Sequence, residues 1–459
     1  MKIRLTDGLN EGQLTAYNNI TKWVSNKNDN SMWLLEGYAG TGKTFLLSRI
    51  LRHVLMGHPK WKIAITAPTN KAVRVAKRMC DIDDVRVTFQ TVHRMLGLKE
   101  KITDDGRQLF ERDAFNKLPD LATYHLVVID ESSMLNDELF KEIENYRGCV
   151  KILFVGDPAQ IPPVGAEDSI PFDKISRMTW NINVVQLNEV MRQAAENPII
   201  AASMEIRSNL EKGSPIKKYN TVIHNNKGIV FFNMNEETER NKINPLLTKL
   251  FNCDDFRSDP DHAKVIAWRN STVNSFNNII RKILYGDDAA KIVVGEKLIA
   301  DKPIQRKDEL LFNTNDEFEV ESFKIKTSVF GDTDYRCELQ YYEAMVEKEE
   351  DGERIRKVIR ILHESSERAF QNNAVLLKRN AIKEKKGKAW RDYYSFIREF
   401  ADINYNYSLT GHKCQGSTYK NVVIIEDDIE YNRNIIERNR IRYTVYTRPS
   451  ETLFVLKRN

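Results

Sequence analysis

Nothing in the chain approaches the ~18 consecutive apolar residues that a membrane span needs, no C-x-x-C pair occurs, and neither sign of charge dominates. The missing span, and the lack of an apolar signal-peptide core in Met1-Lys2-Ile3-Arg4-Leu5-Thr6-Asp7, lead to the expectation of a cytoplasmic protein with no membrane partner. The five cysteines (Cys80, Cys149, Cys253, Cys337 and Cys414) are scattered and odd in number. They read as reduced thiols rather than as a disulfide framework or a zinc site. Lys plus Arg is 70 against 65 for Asp plus Glu. That balance permits a polyanionic partner without arguing for one, so local patches must decide. At 459 residues, 41% of them hydrophobic and 29% charged, the chain is too long for one core. Two to four domains are expected.

What is there begins with Met32-Trp33-Leu34-Leu35-Glu36-Gly37-Tyr38-Ala39-Gly40-Thr41-Gly42-Lys43-Thr44. An apolar run, a glycine-rich loop and a helix-prone stretch read as strand, loop, helix, and the loop fits G-x-x-x-x-G-K-[ST]. Glycines let backbone N–H groups curl around a phosphate chain without Cβ clashes, and the following helix offers its positive end. Lys43 reaches the β and γ phosphates, and the Thr44 hydroxyl is a Mg²⁺ ligand. Upstream, Gln13 on a helix running towards Val24 has an amide able to meet both edges of adenine. Taken alone, such a residue is more often a solvated side chain.

Further strands supply the rest of a phosphate site. Leu126-Val127-Val128-Ile129 ends in Asp130 and Glu131; the first suits Mg²⁺ and the second the orientation of an attacking water. Val150–Val155 ends in Gly156-Asp157-Pro158-Ala159-Gln160, with Gln160 placed to sense the γ-phosphate. Lys62–Ala67 leads into Pro68-Thr69-Asn70-Lys71, which at the carboxyl edge of a parallel sheet either touches a phosphate backbone or simply caps a helix. Phe89–His93 is another such element. Lys99–Glu111 reads as a β-hairpin too small to fold alone, with Leu109 and Phe110 near its tip. Arg192 follows an apolar strand as either a surface ion-pair partner or a stabiliser of phosphate charge.

A second α/β block begins near Lys264–Trp268, with Trp268 and Asn270 at the strand end. From about Val293 to Tyr405 the alternation breaks into what reads as short antiparallel strands, a small β-barrel-like insert with helices. Within it, basic Lys378–Lys388 precedes Trp390, Tyr393, Tyr394 and Phe396. These aromatics either stack on single-stranded nucleic acid or pack the helix onto the insert. The α/β rhythm returns with Leu409-Thr410-Gly411-His412-Lys413-Cys414-Gln415-Gly416-Ser417-Thr418 ahead of Val422–Ile425, and Tyr446-Thr447-Arg448 follows a helix. Only the first α/β half carries a phosphate loop. One nucleotide held between two cores is therefore expected.

In that order and spacing these motifs resemble superfamily 1 helicases, and among them the RecD-related branch that includes the Dda-type helicases of T-even phages. The resemblance covers nearly the whole chain. It implies an α/β architecture of two RecA-like parallel-sheet motor domains: 1–88 with 119–190, and 191–297 with 404–459. It also implies a β-hairpin pin at 89–118 and an SH3-like β-rich insert with helices at 298–403. The implied activity is ATP-dependent, Mg²⁺-requiring unwinding of DNA by 5′-to-3′ movement along a single strand. The implied setting is replication or recombination in a phage-infected bacterial cytoplasm.

The resemblance assigns Gln13 to adenine and Gly37, Tyr38, Ala39, Gly40, Thr41, Gly42, Lys43, Thr44, Gln415 and Gly416 to the nucleotide. Thr44 and Asp130 take the metal, Glu131 and Gln160 act on water and γ-phosphate, and Arg192 and Arg448 are arginine fingers. Pro68, Thr69, Asn70, Thr91, His93, Trp268, Asn270, Thr410, His412 and Lys413 fall along DNA, with Leu109 and Phe110 on the strand-separating pin. The expected partners are single-stranded and forked duplex DNA, with a single-strand-binding or replication protein, and the chain is expected to work as a monomer. Two other readings compete: a translocase that strips proteins from single strands, and a nucleotide-gated binding module. Intact Glu131 speaks against the second.

Overall fold

A strand in a parallel sheet must bury both of its faces, and the first strand shows how this chain does so. The computed structural model describes residues 5–102, 108–112, 118–191, 197–225, 227–306, 309–331, 335–350, 353–384 and 387–458. The chain runs through β1 (Met32–Gly37), β2 (Ile63–Ala67) and β3 (Val87–Thr91), then a hairpin of β4 (Leu98–Ile102) and β5 (Gln108–Arg112). β6 (Leu126–Ile129), β7 (Lys151–Gly156) and β8 (Ile182–Leu187) follow. In β1, Met32 and Leu34 enter one core layer and Leu35 the opposite one. β6 and β7 repeat the division: Val127, Ile129, Ile152 and Phe154 face one way, Leu126, Val128, Leu153 and Val155 the other. Successive side chains on a strand point to opposite faces, so continuous apolar runs are what a doubly covered sheet needs.

Among the described residues the order is β3-β2-β6-β7-β1-β8, and every neighbouring pair is parallel. All six carboxyl ends therefore share one edge. Helices α1 (Glu11–Ser25), α2 (Lys43–Gly57) and α3 (Asn70–Cys80) cover one face through Ile20, Leu47, Ile50, Val54 and Ala76. The Asp137–Arg147 helix covers the other through Leu139, Phe140 and Ile143.

Beyond β8 come β9 (Val222–His224), β10 (Lys227–Asn233), β11 (Ala263–Ala267), β12 (Lys297–Ala300), β13 (Ile304–Arg306) and β14 (Glu309–Phe312). They are followed by β15 (Glu317–Phe330), β16 (Cys337–Glu350), β17 (Glu353–Leu362), β18 (Ile403–Tyr405), β19 (Ser408–Thr410), β20 (Tyr419–Ile425) and β21 (Pro449–Lys457). A second sheet has the order β19-β11-β20-β21-β10-β9, with β11, β20, β21 and β10 parallel and β9 antiparallel to β10. The chain is thus mixed α/β with two sheets of RecA-like character.

Two compact units result. One holds Met1–Leu98, Arg112–Val273 and Leu409–Asn459, and so contains both of these sheets. The other holds Lys99–Glu111 and Asn274–Ser408. In the latter, β17-β16-β15-β12-β18 form an antiparallel sheet. Its strands are not uniformly short: β15 and β16 each run 14 residues. They extend past one apolar core because a second one covers their far end, where Phe330, Leu339 and Tyr341 are buried; the cross-strand ion pair Lys326–Glu343, at 2.6 Å, adds little. Phe396 is buried with Phe330, Leu339 and Phe400, and Tyr393 packs on the same cluster, so packing onto the sheet accounts for these two aromatics. The β4–β5 hairpin, too small to bury a core of its own, is anchored in this unit: the buried Glu100 carboxylate accepts from Thr314 N at 3.0 Å and from its hydroxyl at 2.9 Å. Among the described residues no helix is long and apolar enough to cross a membrane.

Candidate nucleotide site and nucleic-acid edge

The parallel order puts the turns after β1, β6 and β7 side by side, and the motif residues sit on those turns. After β1 the backbone enters the left-handed region at Gly40 (φ +79) and Gly42 (φ +78), a conformation glycine adopts without strain. A Cβ at Gly42 would also lie 2.6 Å from Gln13 Nε2. Lys43 opens α2, and its Nζ donates to Gly37 O (2.5 Å) and Tyr38 O (3.1 Å), across the mouth of the loop. Thr41 Oγ1 donates to Tyr38 O at 2.8 Å, and Thr44 stands in the first turn of α2.

Gln13 is fully buried and does three jobs. Its backbone N–H donates to Asn10 Oδ1 and its Oε1 accepts from Asn10 N–H, a reciprocal cap for α1. Its Nε2 donates to Thr41 O at 2.9 Å and approaches Met191 Sδ at 3.3 Å, so α1 grips the loop directly. Met191 N in turn donates to Gly40 O. Arg192 lies outside the described residues.

Asp130 N donates to Thr66 O, which seats the acid beside the end of β2, and Glu131 N donates to Asp130 Oδ1 at 2.9 Å. Burial, together with the neighbouring Glu131 charge, pushes the Asp130 carboxyl well up from its ordinary range, and Lys43 opposes the shift. A bound cation would reverse that logic, because it stabilises the ionised form of its ligands. Among the described residues no three His, Cys, Asp or Glu side chains gather to hold a metal. A Mg²⁺ held by Thr44 and Asp130 would take its other ligands from phosphate and water, in the usual manner of this ion. The donor set fits such a group.

At the next turn, Asp157 is fully buried: Oδ1 accepts from Ala159 N at 3.0 Å and Oδ2 from Tyr443 OH at 2.7 Å. Tyr443 lies on the Ile435–Tyr446 helix, which packs in the second core, and its oxygen accepts from Ala39 N at 3.1 Å. Gln160 is buried, and among the described residues its Oε1 has no hydrogen-bond partner. Gln415 Nε2 crosses from the second core to Ile161 O at 2.8 Å, and Thr444 Oγ1 accepts from Ile161 N. Gly416 (φ +68) lies so close to Ala72 that a Cβ there would sit 2.8 Å from the alanine Cβ. Arg448, also buried, spends its donors within its own core, on Thr444 O, Ser417 O and Thr447 Oγ1.

The remaining candidates, Leu109 and Phe110 apart, fall at strand ends and helix starts of the same unit. Pro68 and Thr69 follow β2, where Thr69 caps α3 through Ala72 N and Asn70 begins the helix. Thr91 caps a short helix carrying His93, whose pKa burial lowers to about 4. Trp268 and Asn270 follow β11, Thr410 closes β19, and His412 and Lys413 follow it; Thr410 Oγ1 accepts from Lys413 N, and burial lowers the His412 pKa. Phe110 is exposed on β5 in the other unit; the side chain of Leu109 lies outside the described residues.

A sequence profile of the AAA domain matches residues 8–225. The ATP-dependent DNA helicase dda of Enterobacteria phage T4 is 26% identical, covering 93% of this chain and 94% of its own length. The ATP-dependent RecD2 DNA helicase of Deinococcus radiodurans is 32% identical over 37% of this chain and 21% of its own. These likenesses support a helicase of the RecD-related branch of superfamily 1. An uncharacterized mimivirus protein, R530, is also 26% identical, over 96% of this chain and 98% of its own length. The solved Pif1 helicase of Candida albicans overlays with a TM-score of 0.49 at 16% identity, covering 98% of this chain and 94% of that one.

Three groups at the site carry no motif of their own. Asp428, almost fully buried, accepts from Trp268 N, Arg269 N, Arg269 Nε and Thr272 Oγ1, so it sets the turn that presents Trp268 and Asn270. Tyr443 meets the phosphate loop, and Arg207 lies over the Tyr38 ring. All three act on groups remote in sequence, which is why pattern alone passes over them.

Proposed function

We propose that this chain is an ATP-driven motor that travels 5′-to-3′ along single-stranded DNA and separates the strands of forked duplex DNA. The observation that carries the reading is the chain of bonds Ala39–Tyr443–Asp157, which ties the nucleotide loop of one parallel core to a helix of the other. A loop held in this way passes a rearrangement at the phosphates to the second core, as a hinge-driven motor requires.

In this reading Lys43 and the loop residues Gly37–Thr44 hold the phosphates, Thr44 and Asp130 hold Mg²⁺, and Gln13 lies at the base. Glu131 orients the attacking water and Gln160 reads the terminal phosphate. Arg192 and Arg448 stabilise the developing charge; Arg448 would exchange Thr444, Ser417 and Thr447 for phosphate oxygens as the cores close. Bound ATP would supply a phosphoanhydride whose hydrolysis, water attacking the terminal phosphorus and ADP leaving, drives the cycle. Pro68, Thr69, Asn70, Thr91, His93, Trp268, Asn270, Thr410, His412 and Lys413 form the track. Leu109 and Phe110 part the strands, on a pin that Glu100 and Thr314 brace, and the 298–403 segment is the SH3-like insert. The direction rests on likeness to the family, whose T4 member is named a DNA helicase. The motor works as a monomer and meets a single-strand-binding or replication protein at the fork.

The test is strand separation of forks bearing one single-stranded tail, 5′ or 3′, with and without ATP. ATP-dependent separation of the 5′-tailed fork alone is expected. Separation of the 3′-tailed fork alone would overturn the direction, and separation of neither would overturn the function.

A further inference from the structure

Arg207 ends the Pro198–Arg207 helix, which packs on β10, β21 and the Ile435–Tyr446 helix in the second core. Its guanidinium carbon lies 3.6 Å from the centre of the Tyr38 ring, the first residue of the phosphate loop after Gly37. The Tyr38 backbone is itself fixed from below, since its carbonyl accepts from Lys43 Nζ and Thr41 Oγ1. A guanidinium stacked on a ring keeps its in-plane N–H groups free to donate, and Arg207 Nη1 is buried without a hydrogen-bond partner among the described residues. A buried donor with no acceptor is unfavourable, and an incoming anion is one remedy.

Among the described residues, the two carboxylates whose charges act on Tyr38 are committed elsewhere. Glu36 pairs with Arg177 and Gln186, and Asp157 takes Tyr443 OH and Ala159 N. Arg448, by contrast, has its donors satisfied inside its own core. We infer that Arg207 is a further cation of the nucleotide site, held on Tyr38 so that its free N–H donates to the terminal phosphate of a nucleoside triphosphate. It thereby distinguishes triphosphate from diphosphate. The inference deepens the motor reading and rests on it for the identity of the ligand.

The experiment uses the full chain and the variants Arg207→Ala and Arg207→Lys. It measures equilibrium binding of ADP and of a non-hydrolysable ATP analogue, and ATP turnover with saturating oligothymidylate. One charge-assisted hydrogen bond corresponds to roughly tenfold or more in affinity or rate. Arg207→Ala is expected to lose about that factor in kcat and in affinity for the analogue, while ADP affinity stays unchanged. Arg207→Lys, which keeps the charge, is expected to recover part of the loss. Unchanged turnover with an unchanged analogue-to-ADP ratio would overturn the inference. Equal weakening of both nucleotides would do the same, because it marks a packing role of Arg207 on Tyr38. If Arg207→Ala fails to fold, the ratio measured in Arg207→Lys decides, a wild-type ratio counting against the inference. Wild-type protein that does not hydrolyse ATP would overturn the motor reading, while the binding ratio still tests Arg207.

Discussion

Tyr443 donates to Asp157 Oδ2 at 2.7 Å and, through the same oxygen, accepts from Ala39 N at 3.1 Å. Removing that hydroxyl leaves a buried carboxylate oxygen and a loop N–H without their partner. Tyr443→Phe is expected to cost about 1–3 kcal/mol of stability, the usual penalty for an orphaned buried polar group. It should also lower ATP turnover at saturating DNA more than it lowers nucleotide affinity. Denaturant titration and steady-state kinetics check both; wild-type values in each would show that the contact is idle.

Lys43→Ala removes an ammonium aimed across the mouth of the phosphate loop. DNA-stimulated ATP hydrolysis is expected to vanish while single-strand binding persists, since the proposed track residues lie on other loops. Turnover and fluorescence anisotropy with a labelled oligonucleotide separate the two. Undiminished turnover would sink the assignment of the loop.

Gln13 caps α1 and holds Thr41 O at the same time. Gln13→Ala is expected to lower stability by about 1–2 kcal/mol even without nucleotide, a lost cap plus a lost buried bond. A drop seen only when nucleotide is present would mean that adenine, and not the fold, depends on this amide.

Phe110 is 44% exposed on β5, in a hairpin that Glu100 fixes through Thr314. Phe110→Ala should reduce fork unwinding several-fold while leaving DNA-stimulated ATPase close to wild type, because little folding energy rests on an exposed side chain. Parallel loss of both activities would refute the pin role.

Burial lowers the His93 pKa from 6.5 to about 4. In that window the unfolded chain binds the proton and the folded chain does not, so stability rises with pH. His93 therefore contributes no penalty above pH 6.5, and a growing one as pH falls through 6.5 towards 4. Between pH 7.5 and 5 the wild type is expected to lose about 1–2 kcal/mol more than His93→Gln. Identical pH profiles of denaturant stability would contradict this.

The parts legible in the sequence are those whose chemistry is local. Gly37–Thr44 is readable because a strand, two left-handed glycines and a helix start must be contiguous to cradle a phosphate. Asp130 and Glu131 are readable because a doubly buried strand demands an apolar run, and two charges can only end it. The two parallel cores show in the same runs. The lengths of β15 and β16 did not, because the apolar cluster that covers their far end brings together residues distant in sequence. Nor did the placement of Phe396 and Tyr393, whose helical aromatic pattern suits a core and a nucleic-acid platform equally well.

The sequence by itself determined that a phosphate loop, a pair of acids ending a buried strand and two α/β halves exist in this chain. Tertiary structure alone decided what grips that loop. Tyr443 lies 404 residues from Ala39, and Arg207 reaches Tyr38 from a helix with no motif. Hydrogen bonds and ring contacts reach only a few ångströms, so sequence separation carries no information about them until the chain has folded.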